Sequence, residues 1–132
     1  MIVPSQNYIL VIEDDQFIRE LMREILEGEG YNVATAVNGQ DAIDQLKKTT
    51  ELPFLIMLDL MMPIKDGFTF RKEQQADERL RGIPVIVLSA DRQMVSRQEE
   101  LKVSGYIKKP PSIDDIVEAV KRKLPPRIPK AD

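Results

Sequence analysis

The sequence has no cysteine and no histidine. The first absence excludes a disulfide framework and any thiolate metal site. The second removes histidine-based catalytic triads, most zinc sites and any phosphohistidine carried by the chain itself. No apolar run approaches the roughly 18 residues that a membrane-spanning helix needs. The opening MIVPSQN has no basic stretch followed by a long apolar one, so no secretory signal is visible and a cytoplasmic location is expected. A net charge of −3 speaks against direct nucleic-acid binding. What remains is ordinary for a globular protein: 132 residues, 42% hydrophobic and 31% charged, enough for one domain with a real core.

The chain is organised around residues 55–67, LIMLDLMMPIKDG. An apolar run from Phe54 to Leu58 ends on Asp59, and turn chemistry follows as far as Asp66-Gly67. Such a run suits a strand buried on both faces. It would put the Asp59 carboxylate at the C-terminal tip of a central strand, the edge where open α/β sheets bind ligands.

The flanking sequence repeats the pattern. Tyr8–Ile12 is a second buried-strand candidate and stops at Glu13-Asp14-Asp15. Phe17, Ile18, Leu21, Met22, Ile25 and Leu26 then recur at helical spacing, with Asp15 as N-cap and Gly28 or Gly30 as the stop. Tyr31–Ala36 is a weaker edge strand. Asn38-Gly39 is a turn, and Asp41–Lys48 a short helix. A helix is expected from Gly67 to about Leu80, although RKEQQ at 71–75 gives it a poor apolar face. Pro84–Leu88 is a third buried strand, followed by a polar helix over Arg92–Val103. Gly105–Lys108 is the last strand. Ser112 caps a final helix with Ile113, Ile116, Val117, Val120 and Leu124 on one face. PPRIPKAD, residues 125–132, is an exposed tail or linker. Alternation of strand and helix predicts a parallel sheet with helices on both faces.

All C-terminal strand ends of such a sheet share one edge. That edge gathers Glu13, Asp14 and Asp15, then Asp59, Ser89 and Lys109. Each has an ordinary explanation singly, as a cap, a turn residue or a solvated lysine. Together they crowd carboxylates. A like-charge pair at about 5 Å costs on the order of 3 kcal/mol at an effective dielectric near 20. Lys109 offsets one charge. A hard divalent cation would offset the rest, and Mg2+ suits a site with few protein ligands. A carboxylate beside a metal, a lysine and a hydroxyl fits phosphoryl transfer with the carboxylate as nucleophile.

VIEDD at 11–15, DLMMPIKDG at 59–67, LSA at 88–90 and GYIKKP at 105–110 resemble the receiver domains of two-component response regulators, the CheY-like superfamily, over roughly Asn7 to Leu124. The resemblance implies a flavodoxin-like (βα)5 sandwich with a five-stranded parallel sheet in the order 2-1-3-4-5, and a receiver domain at 7–124. It implies that Asp59 accepts a phosphoryl group from a histidine kinase or phosphotransfer protein. Mg2+ would be held by Asp14, by Glu13 through water, by Asp59 and by the backbone carbonyl of Met61. Lys109 and Ser89 would assist, and Ser89 and Tyr106 would form the switch. The output would leave by the face built from the helix at Arg92–Val103, the last strand and the last helix (helix 4, strand 5 and helix 5 of the family pattern), to a target protein or a second copy. A conventional enzyme is not implied: Met61 stands where an aspartyl phosphatase needs a second Asp, and the acidic triplet would repel a flavin phosphate. The alternative is a receiver-like scaffold that binds partners without phosphorylation. Two departures are visible. The segment from Ser89 to Tyr106 is about two residues shorter than usual, with Lys102-Val103-Ser104 in place of the small Gly-Ala signal before the last strand, and the third helix lacks the usual leucines after Gly67.

Overall fold

The computed structural model describes residues 8–90 and 101–123. In chain order it contains β1 (Tyr8–Ile12), α1 (Gln16–Gly28), β2 (Asn32–Ala36), α2 (Gly39–Lys48), β3 (Leu55–Asp59), α3 (Gly67–Ala76), β4 (Val85–Ser89), β5 (Gly105–Lys108) and α4 (Ile113–Lys123). The strands form one parallel sheet in the order β2-β1-β3-β4-β5. The helix expected at Arg92–Val103 falls largely outside the described residues, as do Asp91, Leu124 and the tail.

The central strands are buried along their whole length because both faces are covered. Side chains alternate between two cores. Leu10, Ile12, Ile56, Leu58, Val85 and Val87 meet α2 and α3 on one face. Ile9, Val11, Leu55, Met57, Ile86 and Leu88 meet Met22 and Leu26 of α1 and Ile116 and Val120 of α4 on the other. Burial of each such side chain contributes roughly 1.5–3 kcal/mol.

Every described helix begins at the C-terminal edge of the sheet, and each start is capped. Asp15 accepts from the Ile18 N–H at 3.0 Å, Asn38 from Asp41 at 2.8 Å, Asp66 from Thr69 at 2.8 Å and Ser112 from Asp115 at 3.0 Å. The caps keep the loops around the strand tips short and fixed. At the other end α1 stops at Gly28, and Gly30 takes the left-handed conformation at φ 94°.

Three expectations are corrected. α3 ends at Ala76 rather than near Leu80, because Asp77 turns the chain and its side chain accepts from the Arg79 N–H at 2.8 Å. Phe17 lies on the helical apolar stripe but is 75% exposed, because it stands at the first turn's outer side while Ile18 beside it packs against the core. Ile113 is likewise exposed at the start of α4, while Ile116 packs against the core.

Candidate functional site

Three loops meet at the tips of β1, β3 and β5. Glu13 leaves β1 with its N–H bonded to the Ala36 carbonyl at 3.0 Å, which holds it against β2. Its side chain is 1% exposed, and its Oε2 accepts from the Asp15 N–H at 3.2 Å. Asp14 is exposed at the rim. Arg19, one turn into α1, donates to the carbonyls of Glu13 at 2.9 Å and Asp14 at 3.3 Å, locking the acidic loop.

Asp59 closes β3 and is 3% exposed. Its Oδ1 accepts from the Met61 N–H at 3.3 Å. Lys109 reaches in from the end of β5, placing Nζ 2.8 Å from Glu13 Oε1 and 3.2 Å from Asp59 Oδ1. The Lys109–Pro110 peptide bond is cis. Carboxylate oxygens of Glu13, Asp14 and Asp59 all lie within 4.8 Å of one another.

The surroundings disfavour the ionised form of Asp59. Burial, then the Glu13 charge, pushes the Asp59 carboxyl up to about 7, with Lys109 pulling the other way. Burial acts against the Lys109 ammonium. Its contact with Glu13 and the charge of Asp59 outweigh that, and its pKa rises. Glu13 Oε1 has its ion pair with Lys109 but no aligned hydrogen bond. Two buried carboxylates and one exposed at the rim, with a Glu13 oxygen lacking an aligned hydrogen bond, form a cup of oxygen donors that fits a small hard cation.

Ser89 ends β4 and is buried. Its carbonyl accepts the Lys109 N–H at 3.0 Å and the Tyr106 hydroxyl at 3.0 Å. The Tyr106 ring is half-buried and packs on the core beneath α2 and α3. Glu13, Asp14, Asp59 and Lys109 thus come together directly. Ser89 and Tyr106 join them through β4 and β5, and Met61 through its backbone.

A family model described as the response regulator receiver domain matches residues 9–121. The chain belongs to that family. The receiver domain is 37% identical over 120 residues to sporulation initiation phosphotransferase F of Bacillus subtilis, covering 89% of this chain and 93% of that protein. It is 31% identical to the polar-differentiation response regulator DivK of Brucella anthropi, covering 88% and 94%. It also matches the sensor histidine kinase CheAY of Helicobacter pylori at 29% identity, but there spans 15% of the relative's length. Among solved structures, the signal receiver domain of a histidine kinase from Syntrophus aciditrophicus aligns with a TM-score of 0.81 at 34% identity over 89% of each chain. Chemotaxis response regulator CheY4 of Vibrio cholerae shares the fold with a TM-score of 0.81 at 23% identity, covering 90% and 99%. Receiver domains are phospho-accepting switches of two-component signalling rather than conventional enzymes.

Several supports of the receiver site escaped the sequence reading. A Cβ on Gly67 would lie 2.5 Å from the Asp59 carbonyl, so only glycine lets α3 start against the acid's backbone. Gly39 is held the same way: its N–H bonds the Lys65 carbonyl at 3.0 Å, and a Cβ there would sit 2.7 Å from that oxygen. Gly67 had a signal in the Asp-Gly pair that closes the loop motif. Gly39 had the Asn-Gly turn. Ile64 had none: it adopts φ 70°, a left-handed conformation that strains a β-branched residue, and is 84% exposed in the loop after Asp59.

Proposed function

We propose that Asp59 is the phosphoryl acceptor of a Mg2+-dependent switch, charged by a histidine kinase or phosphotransfer protein. The observation that carries the reading is Lys109 Nζ standing between the buried carboxylates of Asp59 and Glu13. An oxygen of Asp59 attacks phosphorus as the P–N bond of the donor's phosphohistidine breaks, giving an acyl phosphate and a free imidazole. The donor histidine lies outside this sequence, which has none.

Asp14, Glu13 through water, Asp59 and the Met61 carbonyl would hold the cation. Bound there, Mg2+ would neutralise the cup, keep Asp59 ionised and balance charge on the phosphoryl oxygens. Lys109 balances a further oxygen, and Ser89 hydrogen-bonds the group once it has arrived. The added charge of about −2 biases Ser89 and Tyr106 between two packings. The readout would leave through the face of β5, α4 and the helix expected at Arg92–Val103. Receiver residues 7–124 carry the switch, 125–132 form a tail or linker, and the setting is cytoplasmic. Among the described residues no helix is long and apolar enough to cross a membrane.

A protein donor is favoured by the surface. Phe17, Val37, Met61, Ile64 and Ile113 are exposed, and all sit on loops or first helical turns at the edge that carries Asp59. A scaffold acting without phosphorylation would have no use for a buried acid held against two like charges.

Acetyl phosphate with Mg2+ is expected to add one phosphoryl group, stable in acid and lost in base, as read by intact mass. Asp59→Asn should not label, and EDTA should abolish labelling. Equal labelling of the Asp59→Asn protein would overturn the assignment.

A further inference from the structure

The segment RKEQQ, which gives α3 a poor apolar face, contains the most enclosed cation among the described residues. Arg71 is 6% exposed. Its Nε donates to the Leu101 carbonyl at 2.8 Å, its Nη2 to the Lys102 carbonyl at 2.7 Å and its Nη1 to Gln74 Oε1 at 2.7 Å. None of these acceptors is a carboxylate. Gln74 in turn donates to the carbonyls of Leu80 and Ile83, each at 3.0 Å.

The two carbonyls that Arg71 holds belong to a strained turn. Lys102 takes φ 54°, a left-handed conformation that disfavours a residue with a side chain. The two departures from the family pattern therefore meet. The place where a glycine would relax the turn holds Lys102, and the helix lacking its leucines supplies the guanidinium that clamps the turn.

Both ends of this clamp lead to the site. α3 starts at Gly67, whose N–H bonds the Leu60 carbonyl at 3.0 Å, next to Asp59. The clamped turn runs through Ser104, bonded to the Val85 carbonyl at 2.8 Å, into β5 and Tyr106. Tyr106 closes the circuit on Ser89, beside Asp59's strand.

We propose that Arg71 is a positioning residue: by fixing the Leu101–Lys102 turn it sets the seat of Tyr106 against Ser89, giving the Asp59 loop a second link, through α3, to the switch tyrosine. The inference rests on the reading of Tyr106 as the switch. A demonstrated effect on a two-state element is what separates such a link from mere proximity.

The full chain carries three tyrosines, Tyr8, Tyr31 and Tyr106, so 3-fluorotyrosine labelling gives three 19F signals, assigned with Tyr106→Phe. In the resting protein Arg71→Met should displace or broaden the Tyr106 signal, shifting its inward–outward balance by about tenfold or more, the worth of a lost charged hydrogen bond. Tyr8 and Tyr31 should not move, and labelling of Asp59 from acetyl phosphate should be unchanged. If Arg71→Met collapses all three signals through unfolding, Arg71→Lys decides: it keeps the charge but not the planar fork, and should displace Tyr106 in the same direction by less. A Tyr106 signal identical to wild type in the folded variant overturns the proposal. Acetyl phosphate with Mg2+ tests the underlying reading separately: if wild-type Tyr106 does not respond to it, the switch assignment fails while the resting comparison still decides what Arg71 positions.

Discussion

Among the described residues charged side chains are buried in two places, and the molecule treats them in opposite ways. Under α3, Arg71 and Gln74 find a carbonyl or amide oxygen for each donor described, and the network closes. At the sheet edge, Glu13 and Asp59 share one lysine, Asp59 is forced up to about 7 and a Glu13 oxygen lacks an aligned bond. A closed buried network specifies structure. An open one holds charge at unfavourable free energy, and that unfavourable balance is what a cation or an incoming phosphoryl group can relieve.

The comparison is broken most directly at Asp59. In EDTA, Asp59→Asn should raise stability above pH 7 by up to the order of 4 kcal/mol, the worth of displacing a carboxyl from 3.8 to about 7. The sign follows from linkage. The folded state holds a proton that the unfolded chain releases, so the wild-type contribution is intact below about pH 4 and is lost as pH rises through about 7. The gap between variant and wild type in urea melts should therefore close as pH falls through that window. A gap that stayed constant from pH 8 to pH 4 would mean that Asp59 carries no such penalty.

The closed network should respond with the opposite sign. Gln74→Leu removes an amide of similar size and strands the Leu80 and Ile83 carbonyls and one arm of Arg71. Stability should fall by about 3 kcal/mol with no pH dependence between 4 and 8. A neutral result would show that the network is replaceable by packing, as some buried polar clusters are.

These two regions also differ in how far sequence discloses them. The acidic cup was legible because its residues punctuate apolar runs: Glu13 follows Tyr8–Ile12, Asp59 follows Phe54–Leu58 and Lys109 follows Gly105–Lys108. A parallel sheet brings such endings to one edge by its geometry alone. Strand positions were legible for the same reason, whereas the sheet order followed from the family resemblance and not from the runs themselves. Arg71 and Gln74 were not, because a polar residue's burial depends on acceptors distant in sequence, here Leu80, Ile83, Leu101 and Lys102. Local periodicity cannot report them, and the low apolarity of 71–75 only weakened the helical pattern. The end of α3 was misread by the same mechanism: Leu80 is buried not as a helical residue but in a turn that Gln74 holds from below.

A milder way to sharpen the contrast is to fill the cup. Mg2+ at tenfold its dissociation constant should stabilise the wild type by about 1.4 kcal/mol. The gain should vanish in Asp59→Asn and shrink in Glu13→Gln, while Gln74→Leu keeps it in full. Thermal melts with and without Mg2+ measure it. Equal gains in all four proteins would place the cation elsewhere.

The smallest effect is expected at the turn the closed network holds. Lys102 is at φ 54° and its side chain is exposed, so Lys102→Gly removes backbone strain without opening a cavity. Relief of a left-handed residue is worth roughly 1–2 kcal/mol. Glycine's greater freedom in the unfolded chain takes back about 0.5–1 kcal/mol. The net gain should lie between zero and about 1.5 kcal/mol in melting experiments. It should also leave the Tyr106 resonance in place, because the Arg71 bonds go to backbone oxygens that glycine retains. A destabilised Lys102→Gly would show that the turn is supported by the lysine itself, and that Arg71 follows the turn rather than imposing it.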